Sequence, residues 1–278
     1  NEPSFTFSLH GLTSIHKRIF TGIFKHAGIL RDYEISKKEW VLDGASVSYG
    51  FAFELKGALS HDIQRERDFK YTGIDMTEIV KHIAQFTSDI WQIHPFCEGN
   101  TRTTAVFIIK YLRSLGFDVN NTTFEKNSWY FRNALVRANY QNLQKGIYKE
   151  TIHLERFFRN LLMGEDNVLM NRHLHIKAKE LLDGTTPTST PTSTPTSVIP
   201  ESENVKRLIS AIAEKQLSVK EMMAAVGLKD RPNFIEYSLS PAMREGYVRM
   251  LYPDSPRHPR QKYLLTVKGL AAYKELSR

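Results

Sequence analysis

The amino-acid sequence predicts a mainly α-helical protein with two domains, of which the first carries one β-hairpin and the second has a small α+β architecture. Apolar residues recur at helical spacing through most of residues 10–165. A Pro/Thr/Ser repeat follows at 183–202, and beyond it helical patterns give way to two short β-like segments. We therefore expect a helical domain at 1–182 with its core at about 10–165, a linker at 183–202, and a smaller domain at 203–278.

Five segments of the first domain have apolar residues at the i, i+3, i+4 spacing of a helix. The third of them is apolar on nearly every side, which is typical of a helix at the centre of a domain. The five segments are 10–24, 76–93, 104–117, 129–140 and 152–162.

The exception in this domain is the segment 39–49, EWVLDGASVSY, in which β-forming residues flank Asp43 and Gly44. An Asp-Gly pair between such residues predicts a two-residue hairpin turn. A lone hairpin in a helical domain has no sheet to join, so we expect it to act as a flap over a site.

The second domain has three helical patterns followed by two β-like segments, which is the order of a winged helix. The helices are expected at 205–216, 218–227 and 232–246, and the strands at 247–251 and 262–266. Residues 203–278 contain 14 Lys and Arg against 8 Asp and Glu, so they carry +6 of the net charge of +8. Arg257 and Arg260 lie in the predicted loop between the strands. DNA is one expected partner, and a protein partner or a solvated surface without a partner are the alternatives.

The composition limits the class of protein. Cys97 is the only cysteine, which excludes an internal disulfide and a Cys-based zinc site. No apolar run approaches the roughly 18–20 residues of a membrane span, and the N-terminal residues lack the pattern of a signal peptide. We therefore expect a cytoplasmic protein with no membrane partner, and an oligomer is compatible with the sequence.

The candidate functional site is the loop HPFCEGNTR at 94–102, which lies between two apolar helical segments. Pro95 pushes His94 out of helical geometry, so the first helix ends there, and the next helix is expected to begin near Arg102. The loop thus leads into a helix N-terminus, where free N–H groups favour an anion. Gly99 allows the backbone to approach a ligand closely, and Arg102 is suited to phosphate oxygens.

Three further side chains of this loop fit a nucleotide that carries a metal ion. Glu98 is an acid beside an anion site, which is consistent with Mg²⁺ held by one carboxylate and by phosphate oxygens. Asn100 offers an amide donor, and His94 could take a proton from an attacking hydroxyl. Each residue alone is common at a helix end, but their occurrence together in one short loop predicts a nucleotide site.

The loop resembles the Fic family motif, His-Pro-Phe-x-(Asp/Glu)-Gly-Asn-x-Arg, at every fixed position. The resemblance extends over roughly residues 10–165 and includes a hairpin flap ahead of the motif. The second domain looks like the winged helix that follows the Fic domain in many bacterial members. The resemblance implies transfer of a nucleotide, most often of AMP from ATP to a Ser, Thr or Tyr hydroxyl of a protein, which can be the enzyme itself.

The resemblance also implies roles for individual residues. His94 would be the general base, Glu98 would hold Mg²⁺ between the α- and β-phosphates, and Arg102 would hold the phosphates of the leaving pyrophosphate. The flap at 39–49 would clamp the target protein by strand addition. The residues implied to bind the nucleotide are Gly44, Ser46, Val47, Gly99, Asn100, Thr101, Arg102 and Asn139. Asn139 ends its predicted helix, where an Asn is also a common cap.

The sequence departs from the family pattern in its means of self-inhibition. Many members have a second Arg three residues after the first, and an inhibitory Glu in a Ser/Thr-x-x-x-Glu-Gly/Asn motif pairs with it. This sequence has Ala105 at the first of these positions and no match to the second motif. We therefore predict no strong inhibition of that type within this chain.

Two alternatives to a protein adenylyltransferase stay open. One is transfer of another group, such as UMP, phosphate or phosphocholine, although Thr101 in place of a Lys disfavours the phosphate-transferring type. The other is a DNA-binding regulator whose first domain only senses a nucleotide. The intact His94 argues against a regulator, because a sensor has no need of a base.

Overall fold

The computed structural model divides the chain into two compact units. The first is drawn from Asn1–Phe69, Val80–Tyr111 and Asn120–Pro195, and the second from Lys70–Ile79, Leu112–Val119 and Thr196–Arg278. The structure describes residues 5–178 and 198–277. Most of the predicted linker, 183–197, lies outside the described residues. Two short segments that the sequence places in the first domain, 70–79 and 112–119, belong to the second unit.

Seven α-helices are described between residues 5 and 178. They are α1 (Leu9–Phe20), α2 (Leu55–Asp68), α3 (Met76–Ile93), α4 (Asn100–Ser114), α5 (Thr122–Lys126), α6 (Ser128–Asn139) and α7 (Ile152–Met163). The five predicted segments are confirmed as α1, α3, α4, α6 and α7. The other two are not among the predicted segments, because α5 is very short and α2 is rich in charged residues. No helix of the described residues is both long and apolar enough to cross a membrane.

Helix α1 has clear boundaries and a clear buried face. The side chain of Ser8 caps its N-terminus by accepting a hydrogen bond from the N–H of Gly11 at 3.0 Å. The helix ends where Gly22 takes a left-handed conformation with φ 83°. His16 and Phe20 are completely buried, so α1 directs one aromatic stripe into the first unit.

Helices α6 and α7 pack through a cluster of aromatic rings. Phe131 contacts Phe157 with ring centroids 4.9 Å apart, and Phe124 of α5 meets both rings edge to face at the same distance. Phe131 and Phe157 are fully buried, and each such ring contributes on the order of 1.5–3 kcal/mol of burial free energy. This cluster fixes α6, which supplies one wall of the site described below.

The segment 39–49 has the predicted turn but not two strands. Asp43 and Gly44 both have positive φ, 55° and 83°, as expected for the predicted hairpin turn. Only one antiparallel bridge, between Lys38 and Ser46, joins the two arms among the described residues. Residues Trp40–Leu42 form a short 3₁₀-helix instead of a strand, because Val41 and Leu42 are both fully buried, which the alternating faces of a strand would not allow.

The second unit has the predicted order of helices followed by two strands. The helices are α8 (Glu203–Ile212), α9 (Val219–Val226), α10 (Arg231–Phe234) and α11 (Ser240–Arg244), with a π-helical turn at Ile235–Leu239 between the last two. Strand β1 (Val248–Met250) pairs antiparallel with β2 (Tyr263–Leu265), and Val248 lies opposite Leu265. A final helix, α12 (Val267–Leu276), is not among the predicted elements. Its start could have been found in the sequence, since Thr266 is a capping residue type and accepts a bond from the N–H of Gly269. That this unit is a winged helix stays a prediction.

Candidate active site

The motif loop joins α3 to α4 at a sharp corner. His94 has φ 50°, a left-handed conformation that is uncommon for any residue except glycine. Its N–H closes the end of α3 by donating to the carbonyl of Trp91 at 3.0 Å. Helix α4 begins at Asn100, two residues earlier than expected, because the N–H of Thr103 already bonds to the carbonyl of Gly99 at 3.0 Å.

The hydrogen bonds of His94 decide which of its ring nitrogens can act as a base. Nδ1 lies 3.2 Å from the carbonyl oxygen of Trp91, and a carbonyl can only accept a hydrogen bond. Nδ1 therefore carries the proton, and Nε2 has the free lone pair. The ring is 4% exposed, stacks on Tyr49 with centroids 4.0 Å apart, and lines the cavity described below.

The environment of His94 keeps its imidazole neutral. The pKa of His94 is lowered to about 3, mainly because burial disfavours the charged ring. The positive charges of Lys37, Arg31 and Arg132 lower the pKa in the same direction, whereas the bond to the carbonyl of Trp91 acts to raise it. His94 is thus present in the form that can accept a proton.

A buried arginine holds the corner at His94. Arg31 is 3% exposed, and its Nε donates to the carbonyl of His94 at 2.8 Å. The same guanidinium donates to the carbonyls of Tyr33, at 2.7 Å, and of Gly50. The N–H of Arg31 also donates to the carbonyl of Pro95 at 2.9 Å. Nothing in the sequence pattern points to Arg31, because its partners are 2 to 64 positions away along the chain.

Gly99 and Arg102 both rest on Phe20 of α1. Gly99 has φ 79°, and a Cβ atom at this position would overlap the ring of Phe20. The guanidinium of Arg102 lies over the same ring, 5.1 Å from its centroid. Glycine is therefore required here for its conformation and for the close approach of α1, and Phe20 is part of the site although the motif does not include it.

The side chains of Asn100 and Thr101 both make hydrogen bonds inside the protein. The Oδ1 of Asn100 accepts from the N–H of Phe96 at 2.9 Å, and its Nδ2 donates to the carbonyl of Phe96 at 2.6 Å, which leaves the second N–H of the amide for another acceptor. The hydroxyl of Thr101 accepts a bond from the indole N–H of Trp91 at 2.9 Å. Both residues line the cavity, and these bonds also hold the loop in shape.

A cavity of about 440 Å³ opens against the motif loop, a volume that suits a nucleotide-sized ligand. The motif contributes His94, Glu98, Gly99, Asn100, Thr101 and Arg102 to its lining, and other segments contribute Lys37, Ser128, Trp129 and Arg132. Three of the lining side chains are cationic and one is anionic, so the cavity favours a ligand with several negative charges.

Glu98 is the residue of this cavity that could hold a metal ion. Its side chain is 57% exposed, and its nearest cation is the Nζ of Lys37, at 3.4 Å. The described residues contain no group of three or more His, Cys, Asp or Glu side chains placed to bind a metal. A single carboxylate at the edge of an anion-binding cavity fits Mg²⁺ that takes its other ligands from phosphate and water.

Arg132 connects the cavity wall to the segment 39–49. Its two terminal nitrogens bond to the two carboxylate oxygens of Glu39 at 2.6 and 2.8 Å. Glu39 is 2% exposed, so this is a nearly buried bidentate ion pair. Sequence reasoning missed Lys37, Ser128, Trp129 and Arg132, because nothing in the local sequence pattern distinguishes them from other polar and aromatic residues.

Four other residues implied to bind the nucleotide are not part of the cavity lining. Gly44 lies at the tip of the turn, where a Cβ atom would have no other atom within 4 Å. Ser46 bonds to the hydroxyl of Ser36 at 2.9 Å, and Val47 is buried. Asn139 is also buried, and its amide donates to the hydroxyl of Ser88 and to the carbonyl of Leu135, both at 2.9 Å. Asn139 therefore ties α6 to α3.

Comparison with known families gives two matches. Residues 6–112 match the Fic/DOC family. Residues 203–266 match the C-terminal domain of the family described as filamentation induced by cAMP protein Fic-like. The first match contains the whole motif loop, and the second begins just after the predicted linker.

Two curated relatives align with part of the chain. Protein adenylyltransferase VbhT of Bartonella schoenbuchensis is 26% identical over 115 residues, which cover 41% of this chain and 23% of the relative. Probable protein adenylyltransferase Fic of Escherichia coli K12 is 24% identical over 118 residues, which cover 42% of this chain and 56% of the relative. The aligned region thus spans about a quarter and about half of these two proteins.

Solved structures of similar proteins include a Fic family protein from Desulfovibrio desulfuricans G20. It is 18% identical, has a TM-score of 0.39, and the match covers 94% of this chain and 69% of that one. BepC of Bartonella tribocorum, solved with bound AMPPNP, is 19% identical with a TM-score of 0.45, and the match covers 58% of this chain and 77% of that one.

Proposed function

Because the chain belongs to the Fic family, with a Fic domain followed by a Fic-like C-terminal domain, we propose that it is a protein adenylyltransferase. The reaction is the transfer of AMP from ATP to a Ser, Thr or Tyr hydroxyl of a target protein or of the enzyme itself, with release of pyrophosphate. One of the two relatives is named a protein adenylyltransferase and the other a probable protein adenylyltransferase, which supports this activity over the transfer of another group.

The observation that carries the proposal is the tautomer of His94. Because Nδ1 is engaged by the carbonyl of Trp91, the lone pair of Nε2 is available at a residue that lines an anion-binding cavity. In the proposed step, Nε2 takes the proton of the target hydroxyl while the hydroxyl oxygen attacks the α-phosphorus of ATP. The bond from the α-phosphorus to the bridging oxygen breaks, and pyrophosphate leaves with the electron pair.

The residues around His94 supply positioning and charge, which phosphoryl-type transfer requires most. Arg102 would hold the phosphates of the leaving pyrophosphate, at the start of α4, where the free N–H groups of the first turn also favour an anion. Gly99 would let the α-phosphate approach the backbone. Glu98 would contribute a carboxylate to a bound Mg²⁺, which would neutralise phosphate charge.

We further propose that the target segment binds along residues 39–49. The two arms of this segment are joined by one bridge among the described residues, which leaves backbone groups along it for pairing with an extended peptide. Recognition through the backbone would explain why the sequence carries no obvious mark of one particular target.

The test is incubation of the purified full chain with ATP labelled at the α-phosphate and Mg²⁺, in parallel for wild type and His94→Ala. We expect label on the protein or on proteins of a lysate in wild type, and a decrease of about 10²–10⁴-fold in the variant, as is typical for loss of a general base. ATP labelled at the γ-phosphate should give no labelled protein.

A parallel incubation with UTP labelled at the α-phosphate distinguishes AMP transfer from UMP transfer. Mass spectrometry of the labelled protein identifies the transferred group and the modified residue. Equal labelling by wild type and His94→Ala would refute the proposal.

The second candidate function is a DNA-binding regulator. It is favoured by the charge of +6 on residues 203–278 and by Arg257 and Arg260, which are exposed in the loop between β1 and β2. A regulator of this kind would bind duplex DNA with a steep dependence on salt. Loss of duplex binding in the Arg257→Ala/Arg260→Ala variant would support it, and unchanged or undetectable binding would argue against it.

A further inference from the structure

A buried histidine of α1 lies directly beneath the motif loop. His16 is completely buried, and its ring stacks on Phe96 of the loop with centroids 3.8 Å apart and planes inclined by 10°. It is not part of the cavity lining, so a packing role would be the simplest interpretation. Its hydrogen bonds indicate a more specific role, which is to orient one peptide group of the motif loop.

Both ring nitrogens of His16 are used, and their partners fix the tautomer. The N–H of Gly28 donates to Nδ1 at 2.8 Å, so Nδ1 is the unprotonated nitrogen. Nε2 lies 3.0 Å from the carbonyl oxygen of Glu98, which can only accept. Nε2 must therefore carry the proton and donate it to this carbonyl.

This bond determines which way the peptide between Glu98 and Gly99 faces. In a planar trans peptide the C=O and the N–H point in opposite directions, and no peptide bond of the described residues is cis. Since His16 of α1 draws the carbonyl of Glu98 toward the buried side, the N–H of Gly99 is turned away from α1. Gly99 lines the cavity, and its N–H has no hydrogen-bond partner within the described part of the chain.

We propose that His16 is a positioning residue that holds the Glu98–Gly99 peptide so that the N–H of Gly99 points into the cavity as a donor for a phosphate oxygen. A rotated peptide would present the carbonyl of Glu98 to the phosphates instead, and this would repel them. The inference rests on the proposed function, since it takes the occupant of the cavity to be the phosphates of a nucleotide.

Two substitutions separate the proposed role from simple packing. Both His16→Asn and His16→Gln remove the ring that stacks on Phe96. The shorter Asn places an amide oxygen near the position of Nδ1, so it can keep the bond to Gly28 but cannot reach Glu98. The longer Gln can place an amide N–H near the position of Nε2, so it can restore the bond to the carbonyl of Glu98.

The experiment is titration of the full chain with ATP and with inorganic pyrophosphate by calorimetry, at a temperature where circular dichroism shows each variant to be folded. We expect His16→Gln to bind within a few-fold of wild type, and His16→Asn to bind about 10- to 100-fold more weakly, the range for one hydrogen bond to a charged group. Equal affinity of the two variants would overturn the inference, because packing alone would then explain the histidine.

A second measurement uses the wild-type protein alone. Triple-resonance NMR assigns the amide signals of Gly99 and Gly28 among those of the 15 glycines. On addition of pyrophosphate the amide proton of Gly99 should shift downfield, whereas that of Gly28 should not. A Gly99 signal that pyrophosphate leaves in place would overturn the inference even if the proposed function holds. If wild type binds neither ATP nor pyrophosphate, the proposed function fails first, and the inference fails with it.

Discussion

The Nε of Arg31 lies 2.8 Å from the carbonyl oxygen of His94, so a buried guanidinium fixes the backbone of the proposed base. His94 is in a left-handed conformation, φ 50°, which the surrounding structure must stabilise. The other bonds of Arg31, to the carbonyls of Tyr33 and Gly50, tie this corner to two further segments. The orientation of the imidazole therefore depends on a residue more than sixty positions earlier in the chain.

The first prediction concerns this arginine. Arg31→Lys keeps the positive charge but cannot reproduce a planar fork that reaches several carbonyls at once. We expect kcat for AMP transfer to fall by about ten-fold or more, as when a base is misplaced, with a much smaller change in KM for ATP. Arg18→Lys, at an exposed position of α1, is the control and should leave kcat unchanged. A kcat for Arg31→Lys equal to that of the control would show that Arg31 does not position His94.

The second prediction compares two glycines with nearly the same backbone conformation. Gly99 and Gly44 have φ of 79° and 83°, so an alanine at either position carries a similar strain of roughly 1 kcal/mol. Only at Gly99 would the new Cβ overlap Phe20, because nothing lies within 4 Å at Gly44. Gly99→Ala should therefore lower the affinity for ATP by at least about ten-fold and destabilise the protein more than Gly44→Ala. Thermal unfolding and ATP titration measure both effects, and equal behaviour of the two variants would contradict the packing described for Phe20.

The third prediction is an asymmetry in the Glu39–Arg132 ion pair. Glu39 is 2% exposed, whereas the side chain of Arg132 is 26% exposed. Arg132→Met leaves a buried carboxylate without its partner and should cost about 3–5 kcal/mol of unfolding free energy. Glu39→Gln leaves a cation that can still reach water, so it should cost distinctly less. Urea unfolding of both single variants and the double variant measures the costs, and a larger loss for Glu39→Gln would contradict the burial pattern.

The fourth prediction is that His94 stays neutral across the physiological range. Burial lowers its pKa to about 3, so the imidazole signals of His94 should not titrate between pH 8 and 5. The same residue in protein unfolded by urea should titrate near 6.5. NMR of histidine-labelled protein measures both, and His94→Gln identifies the signals among the ten histidines. A folded-state titration of His94 near pH 6.5 would mean that the ring is not buried as described.

The fifth prediction concerns stability in acid. Burial also lowers the pKa of His153, to about 4, so between about pH 6.5 and 4 the unfolded chain binds a proton at this residue that the folded protein does not. Unfolding is thus favoured as the pH falls through this window, whereas above pH 6.5 the stability contributed by the neutral ring is fully present. For His153→Gln, the slope of unfolding free energy against pH should be smaller by up to about 1.4 kcal/mol per unit. The free energy of unfolding is measured with urea at pH 5 and at pH 6. An equal change between these pH values in wild type and in His153→Gln would contradict this prediction.

The elements that the sequence predicts well are those with strong local patterns. The helices α1, α3, α4, α6 and α7 have apolar stripes, and the turn at Asp43-Gly44 follows from the conformation that this residue pair favours. The arms of that turn differ from the prediction because burial of Val41 and Leu42 on the same side favours a 3₁₀-helix over a strand. Local propensity does not contain that information, since it arises from packing against other segments.

For the site, the sequence by itself determined the residues of the motif loop, because His94, Glu98, Gly99 and Arg102 lie within nine positions around the start of a helix. Their short separation along the chain keeps them close together in space. Only the tertiary structure decided how the side chains implied to bind the nucleotide are placed, since the amide of Asn100 bonds to Phe96 at the cavity and Asn139 lies outside the cavity lining. Only the tertiary structure brought Arg31 and His16 to the loop. The physical reason is that a buried polar side chain must find hydrogen-bond partners wherever packing places them, and those partners lie on segments far apart in the sequence.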